Sequence, residues 1–330
     1  MTRIYDARGN IYIVVAPDAV RDSGIDLPDQ ADFAAKTREH WALAAIEVFC
    51  GWPPGTQPAG SKDHRSDGLL VGPFQSAPPY DLLIVNTDGT LAERSGNGLT
   101  IFSQSLSEQG LMPKEGACLL RVHHDKTDVV SPGETSVKPA EVEGVQGFWL
   151  DLGKPLFGPQ AVGAQGVEGV TLNGREVSHV RPLSALDPAW HRSQFVRVGN
   201  PHCVTLVTQA AALPSNEKMR ASPLADGLLR IAYAMPTGAG DPCPAGVNVQ
   251  WAMLESEGRI VARVFERGEG PTASSGTSAS AVACAAWRVG WVAAGEVDVV
   301  MPGGTAPILL EEVDGELSRV RLFGTARFVG

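Results

Sequence analysis

Two stretches far apart in the chain repeat one another, and this repetition constrains the fold more than any other feature. Around Ser95 the chain reads Ser95-Gly96-Asn97-Gly98, then a helix-compatible stretch from Leu99 to Gln109, then Gly110. Around Ser275 it reads Ser275-Gly276-Thr277-Ser278, then Ala279 to Val289, then Gly290. In each copy a serine precedes a loop of small residues, and a glycine stands where a helix would end. Each also follows a strand-like run ending in glycines, Leu82 to Gly89 and Ile260 to Gly270. The second helix is nearly all small or apolar and should be buried. The expectation is a duplicated protein whose halves present matching loops.

The chain has 330 residues, more than one hydrophobic core commonly uses, so two domains are expected. Its net charge of −10 argues against nucleic acid or an anionic membrane as partner. The 37 glycines and 24 prolines predict many turns and short strands rather than a helical bundle. No apolar run is long enough to span a bilayer, and Met1 to Asp6 lacks the apolar centre of a secretion signal. The five cysteines are scattered without metal-ligand spacing, which points to a reduced, cytoplasmic setting and no bound metal.

Ile4 to Val15 reads as two strands broken at Arg8-Gly9-Asn10, and Asp32 as the cap of a helix from Phe33 to about Cys50. Residues 51–67 read as a polar loop. Strands are expected at 69–71, 82–85, 195–198, 204–207, 247–253 and 260–265, and again within 297–329. Pro139 to Gly147, short and polar, marks a domain boundary.

A buried helix start preceded by glycines exposes unpaired N–H groups and the positive end of the helix dipole. Two such starts facing one cleft would hold a carboxylate with no metal or cofactor. Ser95 and Ser275 would then flank it and could exchange a proton on two faces of one carbon, with the loop amides stabilising the developing charge. From the loops alone a second reading stands beside this one: both serines are ordinary N-caps.

Further blocks bear on the choice. Asn86-Thr87-Asp88-Gly89-Thr90 with Ser95-Gly96-Asn97-Gly98 resembles the first signature of the diaminopimelate epimerase family. Glu266-Arg267-Gly268-Glu269-Gly270 with Thr272 and Ser275-Gly276-Thr277 resembles the second. Gly9-Asn10, Asp67-Gly68, Gly199-Asn200-Pro201-His202-Cys203 and Gly246-Val247-Asn248-Val249 resemble other blocks in family order. The resemblance runs from residue 9 to about residue 290.

It implies an α+β fold of two pseudo-symmetric domains, each a mixed, barrel-like sheet around a central helix. These would cover residues 1–143 and 144–312, with 313–330 returning to the first. It implies an isomerase that inverts an amino-acid α-carbon without a cofactor, acting on a small amino acid or carboxylic acid, and a homodimer. Asn10, Asn86, Asn200, Asn248, Glu266 and Arg267 would line the substrate pocket. The amides of Gly96, Asn97, Gly276 and Thr277 would grip the α-carboxylate, and Arg267 with Asn86 and Asn248 would receive a distal polar group.

The family carries its two catalytic cysteines where this chain has Ser95 and Ser275. A thiol ionises near pH 8.5, whereas an alcohol ionises several units higher at about 1.4 kcal/mol per unit, so bare serine is a poor base. Nucleophilic serines borrow a neighbouring base. His202, Asp67, Asp88 and Cys203 are the candidates, although His202 also reads as a packed residue of an Asn-Pro-His turn. Pro271, Ser274 and Ser278 depart from the family pattern as well, as does Gly60 to Ser66, and together they mark a divergent lineage. Three functions remain open: an active isomerase, a non-catalytic binder of small carboxylates, and a dehydratase of a hydroxy amino acid.

Overall fold

A computed structural model describes residues 2–113, 115–127 and 130–330. Met1, Lys114, Asp128 and Val129, all within the expected first domain, lie outside the described residues. The chain divides into two compact units, Met1–Leu150 with Gly324–Gly330, and Asp151–Phe323.

In the first unit the strands are β1 (Thr2–Ala7), β2 (Asn10–Val15), β3 (Gly68–Val71), β4 (Tyr80–Asn86), β5 (Cys118–Val122), β6 (Gly133–Val142) and, up to Leu150, β7 (Val145–Gly153). The helices are α1 (Pro17–Asp22), α2 (Ala31–Lys36), α3 (Ala42–Cys50) and α4 (Gly96–Glu108). Successive strands pair antiparallel, parallel, antiparallel, parallel, antiparallel and antiparallel. Because side chains alternate across a strand, both faces of this sheet are apolar. Val14, Leu70 and Ile84 pack on Leu99, Phe102 and Leu106 of α4. Their neighbours Ile13, Val15, Leu69, Val71 and Val85 pack on Trp41, Ala45 and Ile46 from the α2–α3 layer.

The second unit holds β8 (Leu156–Phe157), β9 (Glu168–Leu172), β10 (Arg175–His179), β11 (Ser193–Val198), β12 (Asn200–Leu206), β13 (Asn248–Ser256), β14 (Arg259–Glu266), β15 (Gly270–Pro271), β16 (Gly295–Met301), β17 (Gly304–Val313) and β18 (Glu316–Gly324). Its helices are α5 (Pro159–Val162), α6 (Arg181–Leu186), α7 (Asn216–Arg220), α8 (Leu224–Ala232) and α9 (Gly276–Arg288). From β11 through β14, then β16 to β18, the pairings repeat the first unit's order. One face buries Val196, Val204, Ala252 and Ala262 against α9. The other buries Phe195, Trp251 and Phe265 against Leu183, Met219 and Leu228 of α6, α7 and α8. Each unit is thus a sheet with one long interior helix on one face and short helices on the other. Residues 324–330 belong to the first unit, where β19 (Arg327–Phe328) pairs with β1.

Several sequence expectations are corrected. The helix expected from Phe33 to Cys50 is two helices separated by a single 3-10 turn at Arg38–His40. Trp41 takes the break: it is fully buried and its indole Nε1 donates to the Ala34 carbonyl at 2.8 Å. Asp32 is not the cap, which falls at Gln30, but lies in the first turn and pairs with Lys36. Pro139 to Gly147 is not a linker but the β6–β7 hairpin, turning at Glu143 and Gly144 with φ of 50° and 78°. Such positive φ at both turn residues suits a two-residue hairpin, and the division of units falls beyond it, at 150/151. The two signature loops are also not separate from their helices. Gly96-Asn97-Gly98 and Gly276-Thr277-Ser278 form the helices' first turns, and a Cβ at Gly276 would fall 2.4 Å from Leu322 Cδ2.

Candidate active site

In the first unit the β1–β2 turn brings Asn10 to the start of α4, where Asn97 Nδ2 donates to Asn10 Oδ1. Ser95 is the N-cap of α4, and its Oγ accepts from the Gly98 N–H at 3.0 Å. The same Oγ lies 3.4 Å from the Tyr12 hydroxyl. Tyr12, Gly68 and Asn86 stand opposite one another across β2, β3 and β4. The absence of a side chain at Gly68 admits the Tyr12 ring, because a Cβ there would fall 2.8 Å from Tyr12 Cε1. Asn86 turns its amide to Thr90 Oγ1 at 2.9 Å, within the loop that follows β4.

The second unit repeats this plan with different chemistry. Ser275 occupies the N-cap position of α9 with extended backbone, yet its side chain caps nothing. Its hydroxyl instead acts on the Glu266 carboxylate, whose ionised form it favours. Thr272 Oγ1 donates to the same carboxylate, at Oε2, over 2.7 Å. Burial pushes the Glu266 carboxyl up from its ordinary value, the Ser275 and Thr272 hydroxyls oppose that rise, and the Glu269 charge adds to it. Asn248 Oδ1 accepts from the Arg267 N–H at 2.8 Å, while Arg267 Nη1 donates to the Ala245 carbonyl at 2.8 Å. Gly199, which turns β11 into β12 ahead of Asn200, lies against Thr277 in the first turn of α9.

None of the four bases offered by sequence serves either serine in the described contacts. Asp67 accepts from the Ile11 N–H and pairs with Lys62. Asp88 accepts from the Thr90 amide and hydroxyl, which hold its carboxyl below the ordinary range. His202 is not in a turn but inside β12, fully buried, with burial lowering its imidazole to about 3. Its Nδ1 faces Gln250 Nε2 at 3.0 Å, and that amide also donates to Ser278 Oγ. Cys203 is fully buried, and burial first, then Cys243, raises its thiol. All five cysteines are buried, so no exposed thiol replaces the serines.

Sequence reasoning missed the Thr272 hydroxyl on Glu266, and Tyr12 beside Ser95. Tyr12 had a signal: it lies two residues after Asn10 in a strand, hence on the same face. Among the described residues no group of His, Cys, Asp or Glu could hold a metal ion, and no helix is long and apolar enough to cross a membrane.

The sequence model described as diaminopimelate epimerase matches residues 194–329. The diaminopimelate epimerase of Archaeoglobus fulgidus is 31% identical over 267 residues, 77% of this chain and 79% of that protein. The chain belongs to the diaminopimelate epimerase family. Diaminopimelate epimerase 2 of Nostoc sp. is 29% identical, covering 75% of each chain. The α+β epimerase fold is shared with distant structures. A Bacillus anthracis phenazine biosynthesis protein of the PhzF family superposes with a TM-score of 0.57 at 15% identity, over 100% of this chain and 96% of that one. A hydroxyproline epimerase from Agrobacterium vitis gives 0.56 at 15% identity, over 100% and 90%. As a member of the diaminopimelate epimerase family the chain is an isomerase.

Within this family member the two serines differ in what holds them, and stability should report the difference. Ser95→Ala removes a helix cap and should cost about 1 kcal/mol, most of which Ser95→Asp restores because aspartate also caps. Urea denaturation measures both; equal stability of Ser95→Ala and the parent would show that the cap bond contributes nothing.

Proposed function

We propose that this chain inverts the α-carbon of an amino acid or related carboxylic acid without a cofactor, using Ser275 with Glu266 on one face and Ser95 with Tyr12 on the other. A single observation carries the reading: Ser275 at the start of α9 is not spent as a cap, and the half-buried Glu266 carboxylate, fixed by Thr272, is the acid group whose charge its hydroxyl favours. An alkoxide base would be too costly, but a relay avoids it. The Cα–H bond breaks as its proton passes to Ser275 Oγ, whose own proton moves to Glu266. Ser95 then delivers a proton to the opposite face, the Tyr12 phenol replacing it. The site is left set for the opposite enantiomer.

The α-carboxylate is the anion the helix starts are suited to hold. At α4 the Ser95 side chain already takes the Gly98 N–H, leaving the Gly96 and Asn97 amides. At α9 no side chain takes one, so the Ser278 amide stays open beside those of Gly276 and Thr277 and this start is the fuller anion site. Asn10, Asn200, Asn248, Asn86 and Arg267 complete the proposed pocket. Diaminopimelate is the first substrate to try, since the relatives bear its name. A cytoplasmic homodimer is the proposed setting, supported by five unpaired cysteines for the compartment and testable by sedimentation for the assembly.

Incubation with diaminopimelate, proline analogues and common amino acids in deuterated water should label the α-position. Ligand-dependent thermal stabilisation with no label would identify a binder instead, and a keto acid without α-exchange a dehydratase. Ser95→Cys with Ser275→Cys should raise turnover, because a thiolate is the better base; unchanged or lost turnover would count against proton transfer at these positions.

A further inference from the structure

The short helix α7 lies in a part of the chain that the sequence motifs leave unexplained. Met219 is fully buried in the second unit's core and anchors it, and Ser215 caps it through the Lys218 N–H. Asn216 and Arg220 are four apart, so both project from one face. They take consecutive carbonyls at the end of β15 and just past it: Arg220 Nη2 donates to Pro271 O at 2.8 Å and Asn216 Nδ2 to Thr272 O at 3.0 Å. Pro271 is itself paired to Phe265, next to Glu266. With its backbone held at both points, Thr272 aims its hydroxyl at Glu266 Oε2, 2.7 Å away.

We propose that α7 is a brace whose Asn216 and Arg220 fix Thr272, and that Thr272 is a positioning residue that orients the Glu266 carboxylate onto Ser275 and keeps it ionised. This rests on the proposed role of Glu266 as proton acceptor. Ser275 can donate one hydrogen bond to Glu266; the Thr272 hydroxyl supplies a second, fixed by a helix that does not belong to the site. The charged and titratable groups around Glu266 are Glu269 and Arg267 on its own loop, Arg220 from α7, Tyr233 at the end of α8 and neutral His202 on β12. Tyr233 lies edge-on to the Phe265 ring, next to Glu266. Of these Glu269 alone adds to the rise of the Glu266 carboxyl.

Titrating Glu266 in glutamate-labelled protein by 13C NMR tests the brace without any assay of turnover. Thr272→Val, matched in shape, should move the titration upward by about one pH unit, the effect of losing one hydrogen bond to a charged group. Thr272→Ser should restore it, and Asn216→Leu should move it the same way by less. With an active parent, Thr272→Val should also lower kcat by about tenfold at little change in KM. An unmoved titration in Thr272→Val, or one moved there but not in Asn216→Leu, would overturn the brace. Near-ultraviolet circular dichroism identifies a misfolded variant, in which case Asn216→Leu and Thr272→Ser decide. A parent that labels no amino acid would sink the isomerase reading while the titration still decides the brace.

Discussion

Glu266→Gln abolishes most α-proton exchange, by about 10²–10⁴-fold, the usual worth of a positioned acid–base group. The amide keeps the size of the side chain and can still meet Ser275, but cannot accept a proton. Rates measured against pH separate this from a structural defect. The parent should lose activity as pH falls through the Glu266 pKa, because only the ionised form accepts. That limb should lie above the ordinary carboxylate range, burial being the main cause of the rise. In Glu266→Gln the residual rate should lack it. Stability should move the other way. A carboxyl whose folded pKa is raised favours the fold below its unfolded pKa, and that contribution is lost as pH rises through the folded value. At neutral pH the neutral amide should therefore unfold at a higher temperature than the parent. Activity lost with stability gained is the mark of a strained functional charge; a variant both inactive and less stable would argue that Glu266 merely holds the loop together.

The second large effect is on the fold. Phe102→Ala should destabilise the first unit by about 3–5 kcal/mol, through lost burial and the cavity left behind. Phe102 is fully buried on α4 amid Tyr5, Leu70, Ile84 and Leu120. Its ring also lies against Gly72, where an added Cβ would fall 3.1 Å from Phe102 Cζ, so surrounding backbone closes the space tightly and little can collapse into it. Against a total of about 5–15 kcal/mol for a typical domain, this is a large fraction. Denaturant unfolding followed separately in the two units measures it. Because α4 carries Ser95 at its start, substrate binding should weaken in step; a loss below about 1 kcal/mol would mean that the interior helix is not held by this core.

The sequence carried the duplicated helices and the order of the strands because both are written in local patterns. Serine before small residues and glycine after marks helix ends, and alternation marks strands. What it did not carry depends on contacts between separate elements. The break at Trp41 exists because that ring seeks the core, which no local propensity announces. His202 reads as part of a turn beside Asn200 and Pro201, yet the turn is complete at Gly199 and the strand begins at Asn200. Glu266 comes near the start of α9 because the chain doubles back through Gly270 and Pro271, which pair with Glu266 and Phe265.

The strand Arg327–Phe328 closes the first unit against Tyr5 and Asp6, with Arg327 also paired to the Asp6 carboxylate. During synthesis the opening residues must wait for the entire second unit to be made before this partner arrives. The later half, continuous in sequence, can finish first and the earlier half last, the reverse of the customary order on the ribosome. A chain stalled or cut shortly before Gly324 would hold one finished half beside an exposed, unpaired edge, the species most prone to aggregate.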